Sequence, residues 1–117
     1  LDRGFVTYSN EAKHDEVGVS YKSLEQFGAV SDVVAREMCA GAMRRDGIGA
    51  ALSLTGIAGP GGGTDTKPVG LVFIGIATRS LAPVAHRYVF DGDRQEVRAA
   101  AIVAALKLLT TAIGESP

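Results

Sequence analysis

The sequence has a single cysteine, Cys39, among its 117 residues. A lone cysteine cannot close an internal disulfide, so the chain suits a reducing compartment, and we expect a cytoplasmic protein. Aromatic residues make up only 6% of the chain, and the basic residues are scattered instead of alternating with rings. The stacking platform that binds single-stranded nucleic acid is therefore missing, and no nucleic-acid partner is predicted.

Neither sign of charge dominates, since twelve basic residues stand against thirteen acidic ones and the net charge is -1. No long-range field therefore draws the chain toward nucleic acid or anionic lipid. The longest uncharged apolar run, residues 69–77, is far shorter than the roughly 20 residues that span a bilayer. No membrane segment is predicted. The first residues do not resemble a signal peptide either, because the charged residues Asp2 and Arg3 come at once and no small-residue cleavage pattern follows.

The alternation of helix and strand signals along the chain predicts an α/β domain. Runs of apolar, aromatic and β-branched residues predict strands at residues 5–8, 50–55, 69–78 and 86–90. Ser9, Ser20, Ser31 and Asp93 can each begin a helix, and Asp93 stands in capping-box spacing with Glu96. We expect a three-layer α/β/α sandwich with a central mixed or largely parallel sheet flanked by helices. Because Leu1 already leads into a strand-like run, the domain, residues 1–117, is expected to lack its N-terminal βα unit.

A loop dense in glycine follows the predicted strand at residues 50–55 and is the strongest local signal. Glycine without a Cβ lets main-chain N–H groups converge on an anion. The loop matches neither a Walker A motif nor G-x-G-x-x-G, and a flexible surface connection is the alternative. Thr64 and Lys67 after the glycines favour ligand binding. The predicted binding residues of this segment are Thr55, Gly56, Ala58, Gly59, Gly61, Gly62 and Gly63.

Three further groups of residues could carry chemistry. Tyr8 and Lys13 can return to the same side if a strand turns into a helix between them, and a desolvated lysine can serve as a base. Arg94 and Arg98 lie one helical turn apart and could both face an anion, or simply cover a solvated surface. The two histidines lack metal-ligand spacing, so no metal site is predicted.

Several blocks in order along the chain resemble the C-terminal domain family of the competence-damage protein CinA. They read GFVTYSNEAK at residues 4–13, GAVS at 28–31, TGIAGPGGG at 55–63, KPVG at 67–70 and FDGDR at 90–94. The family includes nicotinamide-nucleotide amidases. The resemblance implies hydrolysis of the carboxamide of nicotinamide mononucleotide (NMN) to nicotinic acid mononucleotide and ammonia, without metal or cofactor. It assigns Tyr8 and Lys13 to assist a serine nucleophile.

Family members carry that serine in a segment of the type AESCTGG, which precedes the GFVTYS block and is not present in this sequence. The resemblance therefore implies a nucleophile outside this chain and a fragment without turnover of its own. The glycine loop would hold the 5′-phosphate or the developing oxyanion. Two alternatives stay open: a non-catalytic nucleotide-binding module, and a domain that dimerises through the alanine-rich residues 99–105.

Overall fold

The computed structural model describes residues 1–115, in which four helices and three strands follow one another along the chain. They are α1 (Asn10–Val17), α2 (Tyr21–Phe27), α3 (Asp32–Ala42), β1 (Ala50–Gly56), β2 (Leu71–Thr78), β3 (Val84–Val89) and α4 (Arg94–Glu115).

Side-chain caps fix where the helices begin, as the sequence predicted. The hydroxyls of Ser9, Ser20 and Ser31 each accept a main-chain N–H from the first turn of α1, α2 and α3. At the start of α4, the N–H of Asp93 donates to Glu96 Oε1 at 3.0 Å. The N–H of Glu96 donates in return to Asp93 Oδ1 at 2.9 Å. Both donors would otherwise be orphaned at a helix start, so the reciprocal pair stabilises that end of α4.

The three strands lie in the order β1-β2-β3, and both pairs are antiparallel. This direction differs from the expectation of a mixed or largely parallel sheet. A parallel pair needs a crossover of a dozen or more residues, usually a helix, whereas residues 79–83 join β2 to β3 as a short hairpin. The longer connection at residues 57–70 contains no helix. Residues 5–8, predicted as a strand, form no ladder with the described strands.

Helices cover both faces of the sheet, so the predicted three-layer α/β/α sandwich is confirmed. On one face Cys39 of α3 packs against Ala51 of β1 and Ala77 of β2. On the other face α4 buries Val97, Ala101 and Ala105 against Val72 and Ile74, both of β2. A helix must bury its apolar stripe and a sheet its apolar faces, and this arrangement satisfies both requirements.

Helices α1 and α2 form the outer part of the α3 layer. Their contact with α3 buries Val17, Val19, Leu24 and Val34. At the crossing of α1 and α3 the helices nearly touch, because a Cβ added to Gly41 would lie only 1.7 Å from the main-chain oxygen of Val17. Only glycine permits this approach, which fixes the position of α1 against α3.

Helix α4 is long and apolar enough to span a bilayer by length and composition, since an 18-residue window within Arg94–Gly114 has a mean hydropathy of 1.6. Core helices of globular proteins pass the same test. The buried face of α4 belongs to the sheet core described above. Only 22% of that window is buried, so α4 packs one face on the sheet and leaves most of its remaining surface exposed.

Candidate active site

A cleft of about 840 Å³ runs along the edge of β1 that pairs with no other described strand. Residues 1–8 form the opposite wall of this cleft. Met38 of α3 lies on one side of the sheet edge, and Leu109 and Ile113 of α4 lie on the other. The cleft is therefore open to an extended ligand or segment that passes between the two helical layers.

Lys13 is the buried charged group of this cleft, with 8% of its surface exposed. Its Nζ donates to the carbonyl oxygen of Thr7 at 2.5 Å. The two ion pairs among the described residues, Arg3–Asp2 and Arg36–Asp32, do not include it. Burial without a carboxylate partner lowers the pKa of Lys13 below its ordinary value of 10.5, because desolvation penalises the ammonium. A lysine in this state is suited to accept a proton.

The chain turns into α1 between Tyr8 and Lys13, from an irregular segment and not from the predicted strand, and both residues line the same cleft. Ser9 caps α1, and the N–H of Lys13 donates to the carbonyl of Ser9 at 3.1 Å, which brings the lysine back beneath residues 7 and 8. The ammonium contacts the main chain next to Tyr8 instead of the phenol. Tyr8 itself is 90% exposed and stands at the rim.

Two of the predicted binding residues, Thr55 and Gly56, also line this cleft at the end of β1. The hydroxyl of Thr55 donates to the carbonyl oxygen of Ala29 at 2.7 Å and ties β1 to the segment before α3. A Cβ on Gly56 would lie 2.8 Å from the main-chain oxygen of Leu71, so β1 and β2 approach closely where the glycine loop leaves the sheet.

The rest of the glycine loop lies outside the cleft. Two main-chain hydrogen bonds hold the base of the loop. The N–H of Ile57 donates to the carbonyl oxygen of Leu71 at 2.9 Å, and the N–H of Gly70 donates to the carbonyl oxygen of Ile57 at 2.7 Å. Five predicted binding residues have main-chain N–H groups with no acceptor among the described residues: Ala58, Gly59, Gly61, Gly62 and Gly63. Free amides on successive small residues can bind an anion from one side.

Two cations attach this loop to the neighbouring helices. Arg94, the first residue of α4, donates to the carbonyl oxygen of Gly59 at 3.3 Å. Lys67 Nζ donates to the carbonyl oxygen of Phe27 at the end of α2, at 2.5 Å. Arg98 is exposed one turn beyond Arg94. The structure thus brings Arg94 to the glycine loop, separate from the cleft that contains Lys13.

Several residues of the cleft were not predicted as site residues from the sequence. Ala29, Met38 and Leu109 come from three separate segments, and only their packing around β1 makes them neighbours.

His14 has a structural role, since its Nδ1 lies 2.8 Å from the carbonyl oxygen of Val19 and its ring stacks on that of Tyr21. Across residues 1–115 no group of three His, Cys, Asp or Glu side chains could hold a metal ion.

Fold and site together define a three-layer α/β domain with a cleft built around a buried amine that has no carboxylate partner, next to a loop of free amides. The chain belongs to the CinA C-terminal domain family, whose sequence profile matches residues 1–113. The match covers all of the described cleft and the glycine loop.

Curated relatives carry two kinds of name. The chain is 49% identical over 107 residues to the nicotinamide-nucleotide amidohydrolase PncC of Enterobacter agglomerans, covering 92% of this chain and 65% of the relative. It is 47% identical over 109 residues to PncC of Escherichia coli K12, covering 93% of this chain and 66% of the relative. A competence-damage inducible protein of Caldicellulosiruptor saccharolyticus is 52% identical, and the chain covers 27% of it. The chain thus spans less than two thirds of each of these relatives.

A solved structure confirms the fold. The competence/damage inducible protein CihA from Agrobacterium tumefaciens superimposes with a TM-score of 0.88 at 44% sequence identity, over 93% of this chain and 67% of that one.

Proposed function

We propose that this domain hydrolyses the carboxamide of NMN, giving nicotinic acid mononucleotide and ammonia, with a serine nucleophile that lies outside these 117 residues. Two relatives that align with 92% and 93% of this chain are named nicotinamide-nucleotide amidohydrolases. The observation that carries the proposal is Lys13, a buried amine with a lowered pKa and no carboxylate partner, which lines the cleft with Tyr8, Thr55 and Gly56.

In this mechanism the neutral amine of Lys13 accepts the hydroxyl proton as the serine oxygen attacks the carboxamide carbon. The tetrahedral intermediate then collapses, the carbon–nitrogen bond breaks, and the proton passes to the departing ammonia. Water attacks the resulting ester, releasing the carboxylate and restoring the serine. The phenol of Tyr8, at the rim of the cleft, forms a hydrogen bond with the reacting groups. The Thr7 carbonyl keeps Nζ at a fixed position.

The free edge of β1 offers a route by which the serine could reach Lys13. An unpaired strand edge presents N–H and C=O groups that bind an extended segment by main-chain hydrogen bonds. The cleft lies along that edge and is flanked by apolar residues of α3 and α4, including Met38, Leu109 and Ile113. We infer that the serine-bearing segment pairs with β1 and is covered by both helical layers.

The glycine loop suits the 5′-phosphate better than the oxyanion. Gly56 lines the cleft, whereas the free amides of the loop and Arg94 lie beyond it. A nucleotide that enters with its nicotinamide ring toward Lys13 would carry its phosphate toward the loop. Backbone amides and a guanidinium are both suited to a phosphate dianion.

Ammonia release from NMN tests the chemistry. The chain alone should release none, whereas a fusion that places before Leu1 the N-terminal part of E. coli PncC, where the family resemblance puts the serine, should be active. In that fusion Lys13→Met should abolish turnover. Lys22→Met, which removes an exposed lysine of α2, should leave it unchanged. Turnover by the chain alone, or full activity of the Lys13→Met fusion, would contradict the proposal.

The phosphate assignment has its own test in the same fusion. Arg94→Gln should raise KM for NMN without a matching loss of kcat, and should affect nicotinamide riboside much less because that substrate lacks the phosphate. Arg98→Gln removes a guanidinium one turn away and provides the matched control. Equal losses with NMN and the riboside would remove Arg94 from the phosphate site.

Binding without hydrolysis is the second candidate, since a nucleotide-binding module would use the same loop amides. NMN binding by an inactive but folded fusion would favour it.

We further propose that the domain acts in the cytoplasm and forms a homodimer. The exposed apolar side chains of α4 support the dimer, with Ile102, Val103 and Leu106 each more than half exposed.

A further inference from the structure

Two consecutive peptide groups just before α3 are held by side chains from two different elements. The hydroxyl of Ser31, the N-cap of α3, donates to the carbonyl oxygen of Gly28 at 2.8 Å. The hydroxyl of Thr55, on β1, donates to the carbonyl oxygen of Ala29 at 2.7 Å. In a trans peptide group the N–H points opposite to the C=O, so the N–H groups of Ala29 and Val30 turn away from both hydroxyls.

Lys67 holds the same segment at a third point. Its Nζ donates to the carbonyl oxygen of Phe27 at 2.5 Å, and a Cβ added to Gly28 would lie 2.8 Å from that nitrogen. Gly28 has a φ of +78°, a conformation that only glycine adopts readily. The carbonyls of three successive residues are thus fixed from the connection at residues 57–70, from α3 and from β1.

The N–H groups of Ala29 and Val30 have no acceptor among residues 1–115. Both residues are half-buried and line the cleft that contains Lys13. Ala29 also packs against the cluster that includes Val17, which lies one helical turn from Lys13 on α1. Because buried main-chain donors are nearly always paired, two neighbouring free donors in a cleft are suited to a ligand oxygen.

We infer that the N–H groups of Ala29 and Val30 form the oxyanion hole of the cleft, an inference that rests on the amide hydrolysis proposed above. When the serine oxygen bonds to the carboxamide carbon, the electron pair of the C=O π bond moves onto the carboxamide oxygen. That anion accepts a hydrogen bond from each N–H. When the carbon–nitrogen bond breaks, the electron pair returns and the C=O bond forms again.

Fixed donors stabilise such a charge most effectively, because they need no reorganisation when it develops. Ser31, Thr55 and Lys67 are therefore positioning residues, which hold the two N–H groups through the carbonyls on the same segment. This assignment leaves the amides of the glycine loop to the 5′-phosphate.

Removal of one donor tests the assignment in the fusion described above. An ester in place of the peptide bond between Ala29 and Val30 removes the Val30 N–H and keeps both side chains. Loss of one oxyanion donor should lower kcat for NMN about 100-fold and change KM by no more than about twofold. The matched control is an ester before Lys22, whose N–H also has no acceptor among the described residues and lies outside the cleft. An unchanged kcat with the Val30 ester, or an equal loss with the Lys22 ester, overturns the inference.

Side-chain substitutions test the positioning of the two donors. Thr55→Val should lower kcat about tenfold or more with little change in KM, because a small misplacement of the donors weakens only the transition state. Thr55→Ser keeps the hydroxyl and should restore most of the rate. Ser53→Ala is the matched control, since Ser53 on the same strand donates to the carbonyl oxygen of Ala35 at 2.6 Å, within α3. With kcat corrected for the folded fraction, an equal loss in Ser53→Ala, or no recovery in Thr55→Ser, overturns the positioning role.

The outcomes separate this inference from the proposed function. A fusion whose turnover does not depend on Lys13 rejects the amidase mechanism and the oxyanion hole with it. A fusion that requires Lys13 but tolerates the ester at Val30 rejects the oxyanion hole alone.

Discussion

Replacing Gly41 with alanine tests the helix crossing that carries Lys13 to the cleft. The new methyl carbon would lie 1.7 Å from the main-chain oxygen of Val17 and 2.6 Å from its carbonyl carbon. Since Cβ contacts below 3.0 Å essentially do not occur, α1 must move away from α3 by about 1.3 Å. The obstacle is backbone, so no side-chain rotation can relieve it.

Two effects of opposite sign decide the magnitude. Alanine is the better helix former and gains about 0.8–1 kcal/mol in a helix interior. Overpacking of a close contact costs about 1–3 kcal/mol and more where backbone must shift. Because the contact between Gly41 and Val17 involves main chain on α1 and opens the cluster around Val34, we expect a net loss of about 2 kcal/mol in the free energy of unfolding.

Urea denaturation provides the measurement, with Gly114→Ala as the control. Gly114 is also helical, but nothing lies within 4 Å of its added Cβ, so the same substitution should leave stability unchanged or raise it slightly. In Gly41→Ala the moved α1 should also expose Lys13, and its pKa should return toward 10.5 in an NMR titration. A Gly41→Ala domain as stable as wild type would refute the close crossing.

Three further outcomes follow from contacts of single residues. Because burial lowers the pKa of Lys13, the native amine loses its proton at a pH where the unfolded chain still binds one. The free energy of unfolding of the wild type, measured relative to that of Lys13→Met, should therefore rise with pH up to about 10.5. The slope should be at most ~1.4 kcal/mol per pH unit. A flat difference would mean that Lys13 titrates normally. Asp93→Ala should cost about 1 kcal/mol in urea titrations by removing the cap of α4, and an unchanged midpoint would contradict that role. Thr55→Val keeps the side-chain shape but leaves the Ala29 carbonyl without its donor, so thermal unfolding should show a loss of about 1–2 kcal/mol, and no loss would mean that water replaces the hydroxyl.

Local chemistry made much of the fold predictable. Ser31 and Asp93 begin helices because their side chains satisfy main-chain donors within three residues. The apolar run of β2 predicts a central strand because it is buried on both faces, and the structure places it between β1 and β3. The strand predicted at residues 5–8 failed because a strand exists only with a neighbour to pair with, and that segment lies across the cleft from β1.

The candidate site was predictable in its parts but not in its grouping. Tyr8, Lys13, Thr55 and Gly56 do share a cleft, while the remaining glycine-loop residues and Arg94 form a separate surface. Lys67 appeared to favour ligand binding, but its ammonium is engaged by the main chain of α2.

The sequence by itself determined the helix starts, the strand runs and the glycine loop after β1, because caps, periodicity and turn residues act over a few neighbouring positions. The tertiary structure alone decided that the strands are antiparallel, that Lys13 is buried without a carboxylate, and that one edge of β1 faces a cleft. Those properties depend on contacts between residues distant in the chain. Burial, and with it the pKa of an amine, is set by everything that packs around the group and not by the residues beside it.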